Sequence, residues 1–292
     1  MTLQNRYLVI MPVRDEADYL GRTLACLVNQ TVPPRECILV DDGSTDGTPE
    51  IIRSFAARFP WIHSVQRTDR GVRQRGAGVV QAFYDGMAQA TDPSWDFVVK
   101  LDADLAFPPF YFEELLRRFA QEPRLGIASG SMYIFRGGRW ILDKAPKDRT
   151  WGPSKIYRRA CFEAIGGLVP HLGWDAIDDF KAQMHGWQTR TFEDLVVLHY
   201  RPVGKRSGAF NSGVEHGRGN YFLGTHPLFI IVRGLYRMGI DRPIVVAGMG
   251  ILYGYFRNWF RRTPRIEDPE LIQYIQRVQL SRLCPLLTRS EA

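Results

Sequence analysis

The chain has 292 residues, 45% hydrophobic and 24% charged, which is typical of a globular protein with a substantial core. Its net charge of +7 is unevenly placed. Residues 201–292 carry 14 Lys and Arg against 6 Asp and Glu, whereas residues 1–200 carry 24 against 25. This basic surplus predicts an anionic membrane surface or an anionic substrate as partner. Since no nucleic-acid-binding motif accompanies the charge, no nucleic-acid partner is expected.

The cysteines and the first residues predict a cytoplasmic setting. Cys26, Cys37, Cys161 and Cys284 are scattered, with no C-x-x-C pair, which argues against a disulfide framework or a zinc site. The segment Met1–Arg6 is polar and leads directly into an apolar run, so no signal peptide is expected.

Strand and helix patterns alternate over the first hundred residues. The apolar run 7–11 predicts a buried strand that ends at Pro12, and Asp15 is the expected cap of the next helix. Such alternation predicts a parallel, doubly wound α/β sheet whose ligands bind beyond the carboxyl ends of the strands. Further strands are predicted over residues 37–40, 62–65 and 97–101, and further helices over residues 49–55 and 78–90.

Two acids, Asp102 and Asp104, follow the fourth predicted strand. Because residues i and i+2 of a strand point to the same side, we expect the two carboxylates to lie together. Like charges at that distance repel, and a divalent cation such as Mg²⁺ or Mn²⁺ relieves the repulsion. The alternative is that both acids only form the turn before Pro108. Pro12 and Asp42 are predicted at the same edge of the sheet, which favours a binding site.

Three segments in order, 10–16 (IMPVRDE), 40–48 (VDDGSTDGT) and 101–104 (LDAD), resemble the N-terminal half of glycosyltransferase family 2, the inverting sugar transferases. A second block, residues 155–167, resembles the segment before that family's catalytic acid, so the resemblance covers about residues 6–200. It implies a GT-A-type, doubly wound, mostly parallel α/β sheet. We expect this catalytic domain over residues 1–205. Residues 206–292 are expected to form an apolar and basic appendage, made of a basic loop and a helical region that could associate with a membrane.

The resemblance also implies a nucleotide-sugar donor, carrying UDP, GDP or dTDP. Pro12, Arg14 and Glu16 would line the nucleoside, and Asp42 would accept a hydrogen bond from the base. The alternative for Asp42 is that it only caps the following turn.

The diphosphate and a metal ion would lie nearby. Arg75, in the glycine-rich stretch 71–78, would lie near the diphosphate, unless it is simply a solvated arginine. Asp104 would bind Mg²⁺ or Mn²⁺ directly, and Asp102 would contact the ribose and the metal. His199 would complete the metal shell, although a lone histidine at a strand end can also be structural.

The resemblance predicts a catalytic base at the start of a helix. Many family members carry Glu-Asp there, on a helix that runs on to a Gly-aromatic pair. When the chain is counted back from Gly186–Trp187, Trp174 and Asp175 align with that Glu-Asp. This chain therefore departs from the family pattern at the glutamate. Asp175 would deprotonate the acceptor hydroxyl, which attacks the anomeric carbon and inverts its configuration. Asp179 and Asp178 are alternative bases on the same helix face. Asp175 could also be only a cap.

Two apolar stretches in the last third, residues 227–232 and 243–256, are bordered by arginines. The longer one has 14 residues, fewer than the roughly 20 that span a bilayer. With Tyr253, Tyr255 and Trp259 they predict helices lying at the inner face of the membrane, where a glycan or polyprenyl-linked acceptor would be presented. The alternatives are packing against the catalytic domain and formation of a homodimer, which the glycines of this region would allow.

Taken together, the sequence predicts a metal-dependent inverting glycosyltransferase of surface polysaccharide or glycolipid synthesis. A nucleotidyltransferase is the alternative enzyme, but residues 12–16 lack the glycine-rich, lysine-bearing phosphate loop of that chemistry. A non-catalytic, membrane-docked nucleotide-binding protein would need no base at Asp175.

Overall fold

A computed structural model describes residues 6–69, 71, 76–144, 146–201, 208–240 and 244–283. Arg75 and Cys284 lie outside these residues, as does the domain boundary predicted at 205. The cysteines within them, Cys26, Cys37 and Cys161, are free. The strands are β1 Tyr7–Val13, β2 Glu36–Asp41, β3 Ile62–Gln66, β4 Phe97–Leu101, β5 Leu105–Ala106, β6 Leu125–Arg136, β7 Arg139–Leu142, β8 Ser154–Arg158 and β9 Gln188–His199. The helices are α1 Leu20–Val28, α2 Thr48–Ala56, α3 Ala77–Met87, α4 Tyr111–Gln121, α5 Arg159–Ala164, α6 Trp174–Met184, α7 Gly208–Phe222, α8 Pro227–Ile240, α9 Val246–Phe260 and α10 Pro269–Leu283.

The chain divides into two compact units. The first comprises Met1–Pro170 and His185–Pro202 and contains all the described strands. The second comprises His171–Met184 and Val203–Ala292, and all the secondary structure of its described part is helical. The basic loop predicted at the start of the appendage is wrong from Gly208 onward, where the chain forms helix α7. Helix α6 therefore groups with the C-terminal helices, whereas the sequence interpretation had placed it in the first domain.

The strands of the first unit form one sheet in the order β3-β2-β1-β4-β8-β6-β9-β5, with β7 paired to β6. Strands β1 to β4 are mutually parallel, as the alternation of strands and helices predicted. Beyond β4 the sheet is mixed, because β8 is antiparallel to both β4 and β6 while β9 runs parallel to β6. All five residues of β4 are buried, which is expected of a central strand covered on both faces.

Strand β1 does not end at Pro12 as predicted, but continues to Val13. The Val13 carbonyl accepts a hydrogen bond from Asp42 N–H on the β2 side. Because backbone groups of successive strand residues point to opposite sides, those of Pro12 point toward β4. The pairing of β1 with β4 already stops at Ile10. The missing N–H of Pro12 therefore breaks no ladder bond, and the proline is tolerated inside the strand.

In the second unit, helices α7 and α9 pack with very close backbones. A Cβ atom on Gly217 would overlap the Ile251 carbonyl oxygen and lie 2.7 Å from Tyr255 N. Gly213 faces Gly250 Cα in the same way, at 3.0 Å from an added Cβ. The glycines of both helices therefore permit this approach. No helix among the described residues is long and apolar enough to cross a bilayer.

Candidate active site

The first unit gathers charged side chains where β1, β2, β4 and β9 end. Arg14, in the segment after β1, donates a hydrogen bond to the Asp42 carbonyl at 2.7 Å. Strands β5 and β9 are paired, with Leu105 opposite His199. Because β1, β2 and β4 are parallel, their carboxyl ends share one edge of the sheet. This edge holds all the predicted donor-binding and metal-binding residues that the structure describes, a set that does not include Arg75.

Asp104 is buried at this edge, with 6% of its surface exposed. Its Oδ2 lies 3.3 Å from His199 Nε2 and 3.3 Å from Arg201 Nε. Its Oδ1 is buried and has no hydrogen-bond partner among the described residues. A buried carboxylate oxygen without a partner is costly, and it is an oxygen ligand available to an external group.

Asp102 follows β4 directly and forms an ion pair with Lys100, a buried lysine inside that strand. Burial raises the pKa of the Asp102 carboxyl, and the neighbouring Asp104 raises it further, while Lys100 opposes both effects. The strand ends at Leu101, so the two acids occupy the turn into β5 and strand alternation does not explain their placement. The turn leaves Asp102 partly exposed while Asp104 is enclosed.

His199, the last residue of β9, is held by Asp104. Burial by itself lowers the pKa of the imidazole, but the hydrogen bond and the charge of Asp104 outweigh this effect and the pKa is raised. The structure thus brings together Asp104 and His199, which lie 95 residues apart in the sequence.

Glu16 is buried and forms an ion pair with Arg201, whose guanidinium also contacts Asp104. Arg201 therefore links the segment after β1 to the turn after β4. The resemblance predicts that Glu16 lines the nucleoside. In the structure its carboxylate also forms an ion pair with Arg201.

Asp42 is buried at the end of β2 and its carboxylate is also paired. Arg67 Nη1 lies 2.7 Å from Asp42 Oδ1, and Arg67 Nε lies 2.7 Å from Asp85. Arg14 lies beside the same segment and donates to Asp69 at 2.8 Å. Pro12, half-buried within β1, is in register with Val40 of β2. The predicted nucleoside residues Pro12, Arg14 and Asp42 thus lie at the carboxyl ends of two adjacent strands, Pro12 within β1 and the other two just beyond β1 and β2.

Asp15 does not cap the first helix, because α1 begins at Leu20 with Tyr19 as its N-cap. Asp15 instead has a positive φ of 52° and ties the segment after β1 to the loop after β2. Its carboxylate accepts from Thr45 N–H at 2.9 Å, and its own N–H donates to Ser44 Oγ at 3.0 Å. A short polar side chain bonded to a neighbouring loop tolerates this backbone conformation.

The candidate bases lie on α6 in the second unit. Asp175 is in the first turn and is exposed, whereas Asp178 and Asp179 are buried. The three acids thus differ in exposure, although the sequence places them on one helix face. Of the three acids, only Asp175 is an exposed residue.

The residues present at Asp104 fit a divalent cation. No three His, Cys, Asp or Glu side chains form a ready ligand cluster in the described part of the chain. Mg²⁺ usually takes one or two carboxylates together with substrate phosphates, so a complete protein cage is not required. The unpartnered Oδ1 of Asp104, with Asp102 close by, provides such carboxylate oxygens.

Sequence reasoning missed three cations of this edge: Lys100, Arg67 and Arg201. Lys100 carried a signal, because a lysine inside an otherwise apolar, buried strand requires a partner such as the acid two residues on. Arg67 and Arg201 carried none, because an arginine after a strand has the same local sequence whether it is solvated or paired. Their partners lie 18 or more residues away in the sequence.

The family described as "Glycosyl transferase family 2" matches residues 8–174, more than half of the chain. Poly-beta-1,6-N-acetyl-D-glucosamine synthase of Staphylococcus epidermidis is 32% identical over 133 residues, which are 44% of this chain and 29% of that protein. Chondroitin synthase of Escherichia coli is 29% identical over 139 residues, 46% of this chain and 18% of that protein. The chain spans less than half the length of these curated relatives.

Solved structures agree on the fold. Mannosyltransferase PcManGT from Pyrobaculum calidifontis, in complex with GDP-Man and Mn²⁺, has a TM-score of 0.57 at 20% identity and covers 98% of this chain and 76% of its own. TarS 1-349 of S. aureus, in complex with UDP-GlcNAc, has a TM-score of 0.55 at 16% identity and covers 94% of this chain and 81% of its own. The sheet is that of GT-A glycosyltransferases, and the chain belongs to glycosyltransferase family 2.

Proposed function

We propose that this glycosyltransferase moves a sugar from a nucleotide-sugar donor to a hydroxyl acceptor, with inversion and with the help of Mg²⁺ or Mn²⁺. The observation that supports this proposal best is the buried, unpartnered Oδ1 of Asp104 at the edge where three parallel strands end. Ligands of such sheets bind beyond the carboxyl ends of the strands. The two neighbours described above were solved with GDP-Man and Mn²⁺ or with UDP-GlcNAc, which supports this kind of donor.

The ends of β1 and β2 would bind the nucleoside. Asp42 would accept a hydrogen bond from an N–H of the base, and Arg67 would hold its carboxylate in place. Pro12 and Arg14 would form the adjoining wall. Glu16, paired with Arg201, would keep this segment joined to the turn after β4.

Asp104, Asp102 and His199 would hold the cation. When bound, it would neutralise the diphosphate and stabilise the charge that develops as the nucleoside diphosphate leaves. Lys100 would keep Asp102 ionised, since its charge opposes the effects that raise the pKa of this carboxyl.

Asp175 is the better candidate for the general base. A base must come within hydrogen-bond reach of the acceptor hydroxyl, and Asp175 is exposed whereas Asp179 is completely buried. Asp175 would take the hydroxyl proton as the oxygen attacks the anomeric carbon. Asp179 would then serve the packing of α6.

The relatives indicate the general class of acceptor. Poly-beta-1,6-N-acetyl-D-glucosamine synthase and chondroitin synthase bear the names of polysaccharide-forming enzymes, and they support a role in surface polysaccharide or glycolipid synthesis. A growing glycan or a polyprenyl-linked sugar would then supply the acceptor hydroxyl.

A donor screen tests this proposal. UDP-, GDP- and dTDP-sugars are each mixed with the protein and Mn²⁺, and thermal stabilisation and release of nucleoside diphosphate are recorded. A donor present at about 100 times its Kd should stabilise the fold by about 2.7 kcal/mol. If no nucleotide-sugar either stabilises the protein or is turned over, the proposed function is wrong.

The base assignment has its own variants. Asp175→Asn should lower kcat by about 10²- to 10⁴-fold while leaving the donor-induced thermal shift in place. Asp194→Asn, an exposed acid on β9, is the matched control and should retain wild-type turnover. Full turnover in Asp175→Asn together with loss of turnover in a folded Asp179→Asn would transfer the role to Asp179.

A further inference from the structure

The outward side of α8 is apolar, the reverse of an ordinary surface helix. Its buried side is lined by Ile230 and Gly234. Its exposed residues recur at spacings of three and four, so they lie along one side of the helix. These exposed apolar residues are Leu228, Ile231, Val232, Leu235, Tyr236 and Ile240.

Helix α9 has a similar exposed stripe. Val245, Met249 and Tyr253 are exposed at four-residue intervals, and Arg257 continues the series. Phe260 ends the helix with 81% of its surface exposed. An aromatic ring so open to water is unfavourable in a protein surrounded only by solvent.

The two stripes belong to neighbouring helices of the second unit. A Cβ on Gly234 of α8 would lie 2.6 Å from Leu252 of α9, so the two helices are in direct contact. The exposed Phe210 of α7 packs against Tyr253, with ring centroids 5.9 Å apart. We call the exposed apolar residues of α8 and α9, together with Phe210, the docking face.

The segment that carries α8 and α9 is strongly basic in sequence. Residues 227–262 contain six arginines and a single acid, Asp241. Arg257 lies over the ring of Tyr253, 5.9 Å from its centroid, and Arg261 and Arg262 are exposed just beyond Phe260. Arginines that border an apolar surface match the polar boundary of an anionic bilayer.

We propose that the docking face binds the surface of an anionic lipid bilayer, with its apolar side chains in the acyl boundary and its arginines at the headgroups. A large apolar face with a cationic border is the pattern of interfacial helices. A second copy of the chain fits less well, because a two-fold contact would set two sets of arginines beside each other with one acid per copy to offset them. This surface goes beyond the proposed transfer reaction, since lipid binding requires no donor.

Vesicle flotation tests the proposal. The purified full-length protein is mixed with vesicles of phosphatidylcholine alone or with about 30% phosphatidylglycerol, a composition that carries the anionic charge in question. We expect tight binding only to the anionic vesicles, and weaker binding as NaCl rises to about 0.5 M. Binding to the neutral vesicles measures the contribution of the apolar side chains to the affinity, without that of the arginines.

Exposed variants separate the two contributions and should not disturb folding. Leu235→Ser and Phe260→Ser should each weaken anionic-vesicle binding about tenfold, because each removes a large buried apolar contact. Arg261→Gln combined with Arg262→Gln should weaken it roughly 20-fold and reduce its salt dependence. Phe110→Ser and Arg53→Gln, exposed residues of the first unit, are the matched controls and should bind like wild type.

Three results would overturn the proposal. The first is wild-type protein that stays with the unbound fraction at every lipid composition. The second is equal binding by wild type and by the folded docking-face variants. The third is a concentration-dependent dimer that these variants dissociate, without any vesicle binding, which would assign the face to a second copy.

Discussion

At Asp104, a single carboxylate contacts two residues that the sequence places far away. His199 and Arg201, both at the end of β9, contact Oδ2, while Oδ1 has no partner within the described chain. Asp104 and His199 were predicted to act together from motif resemblance, and the structure brings them into contact. Arg201 was missed, although it joins Asp104 to Glu16.

The Glu16–Arg201 pair predicts a specific loss of stability. Arg201→Gln should lower the free energy of unfolding by about 3 kcal/mol, because it takes a cation from a buried carboxylate. Glu16→Gln should partly restore stability in the double variant, since the buried charge is then gone as well. Chemical denaturation of the two single variants and the double variant measures this coupling.

The exposed pair Arg53–Glu50 on α2 is the control for that cycle. Both side chains are about two-thirds exposed, so Arg53→Gln should produce no measurable loss. Additive effects of Glu16→Gln and Arg201→Gln would show that the two side chains do not interact in solution.

At the scale of elements, local sequence predicted the strands and helices of the first half, and missed what depends on distant contacts. The apolar runs of β1, β2 and β4 were recognised because buried parallel strands are continuous and hydrophobic. Continuation of β1 through Pro12 was missed because the tolerance of a proline depends on where the neighbouring ladder stops. The loop role of Asp15 depends in the same way on Ser44 and Thr45, about 30 residues away.

Close packing of α7 on α9 predicts an intolerant glycine. Gly217→Ala should destabilise the protein by about 1–3 kcal/mol, because the new Cβ overlaps the Ile251 carbonyl and the backbones must separate. Gly239→Ala is the matched control: an added Cβ on this glycine of α8 has nothing within 4 Å, and alanine favours a helix by up to about 1 kcal/mol. Thermal unfolding of the two variants should therefore shift in opposite directions. Equal shifts would contradict the packing described for α7.

For the whole molecule, the sequence predicted a catalytic domain over residues 1–205 and a basic, apolar helical remainder, whereas the two compact units of the structure have other bounds. The motif-bearing edge of the sheet could be predicted because the order of strands in such sheets is regular. The grouping of α6 with the C-terminal helices could not, because α6 carries the same amphipathic pattern whichever unit it packs into. The choice between Asp175 and Asp179 as the base could not be made from the sequence either. Both acids lie on the same predicted helix face, and only their burial in the structure distinguishes them.

The second unit should lose stability in acid. Burial lowers the pKa of the half-buried His171 below the ordinary value of 6.5, and the charge of Arg218 lowers it further. The unfolded chain then binds more protons below that pH, so the stabilising contribution is present above about 6.5 and is lost as the pH falls through the folded-state value. His171→Phe should keep the stacking on Phe222 and reduce the fall in Tm between about pH 7.5 and about pH 5.5.

The exposed His63 on β3 provides the comparison, and His63→Gln should leave the acid response of wild type unchanged. Hydrogen exchange followed over the same pH range should show the loss of protection in helices of the second unit. A fall in Tm that is identical in wild type and His171→Phe would remove His171 from this explanation.

The most direct test of the proposed site is Mn²⁺ binding in the presence of UDP or GDP, followed by electron paramagnetic resonance of the free ion. Wild-type protein and the exposed-acid control Asp194→Asn should each bind one Mn²⁺ together with the preferred nucleotide. Asp104→Asn should weaken that binding at least tenfold while remaining folded. Undiminished Mn²⁺–nucleotide binding by folded Asp104→Asn would contradict the claim that this carboxylate holds the metal of the donor site.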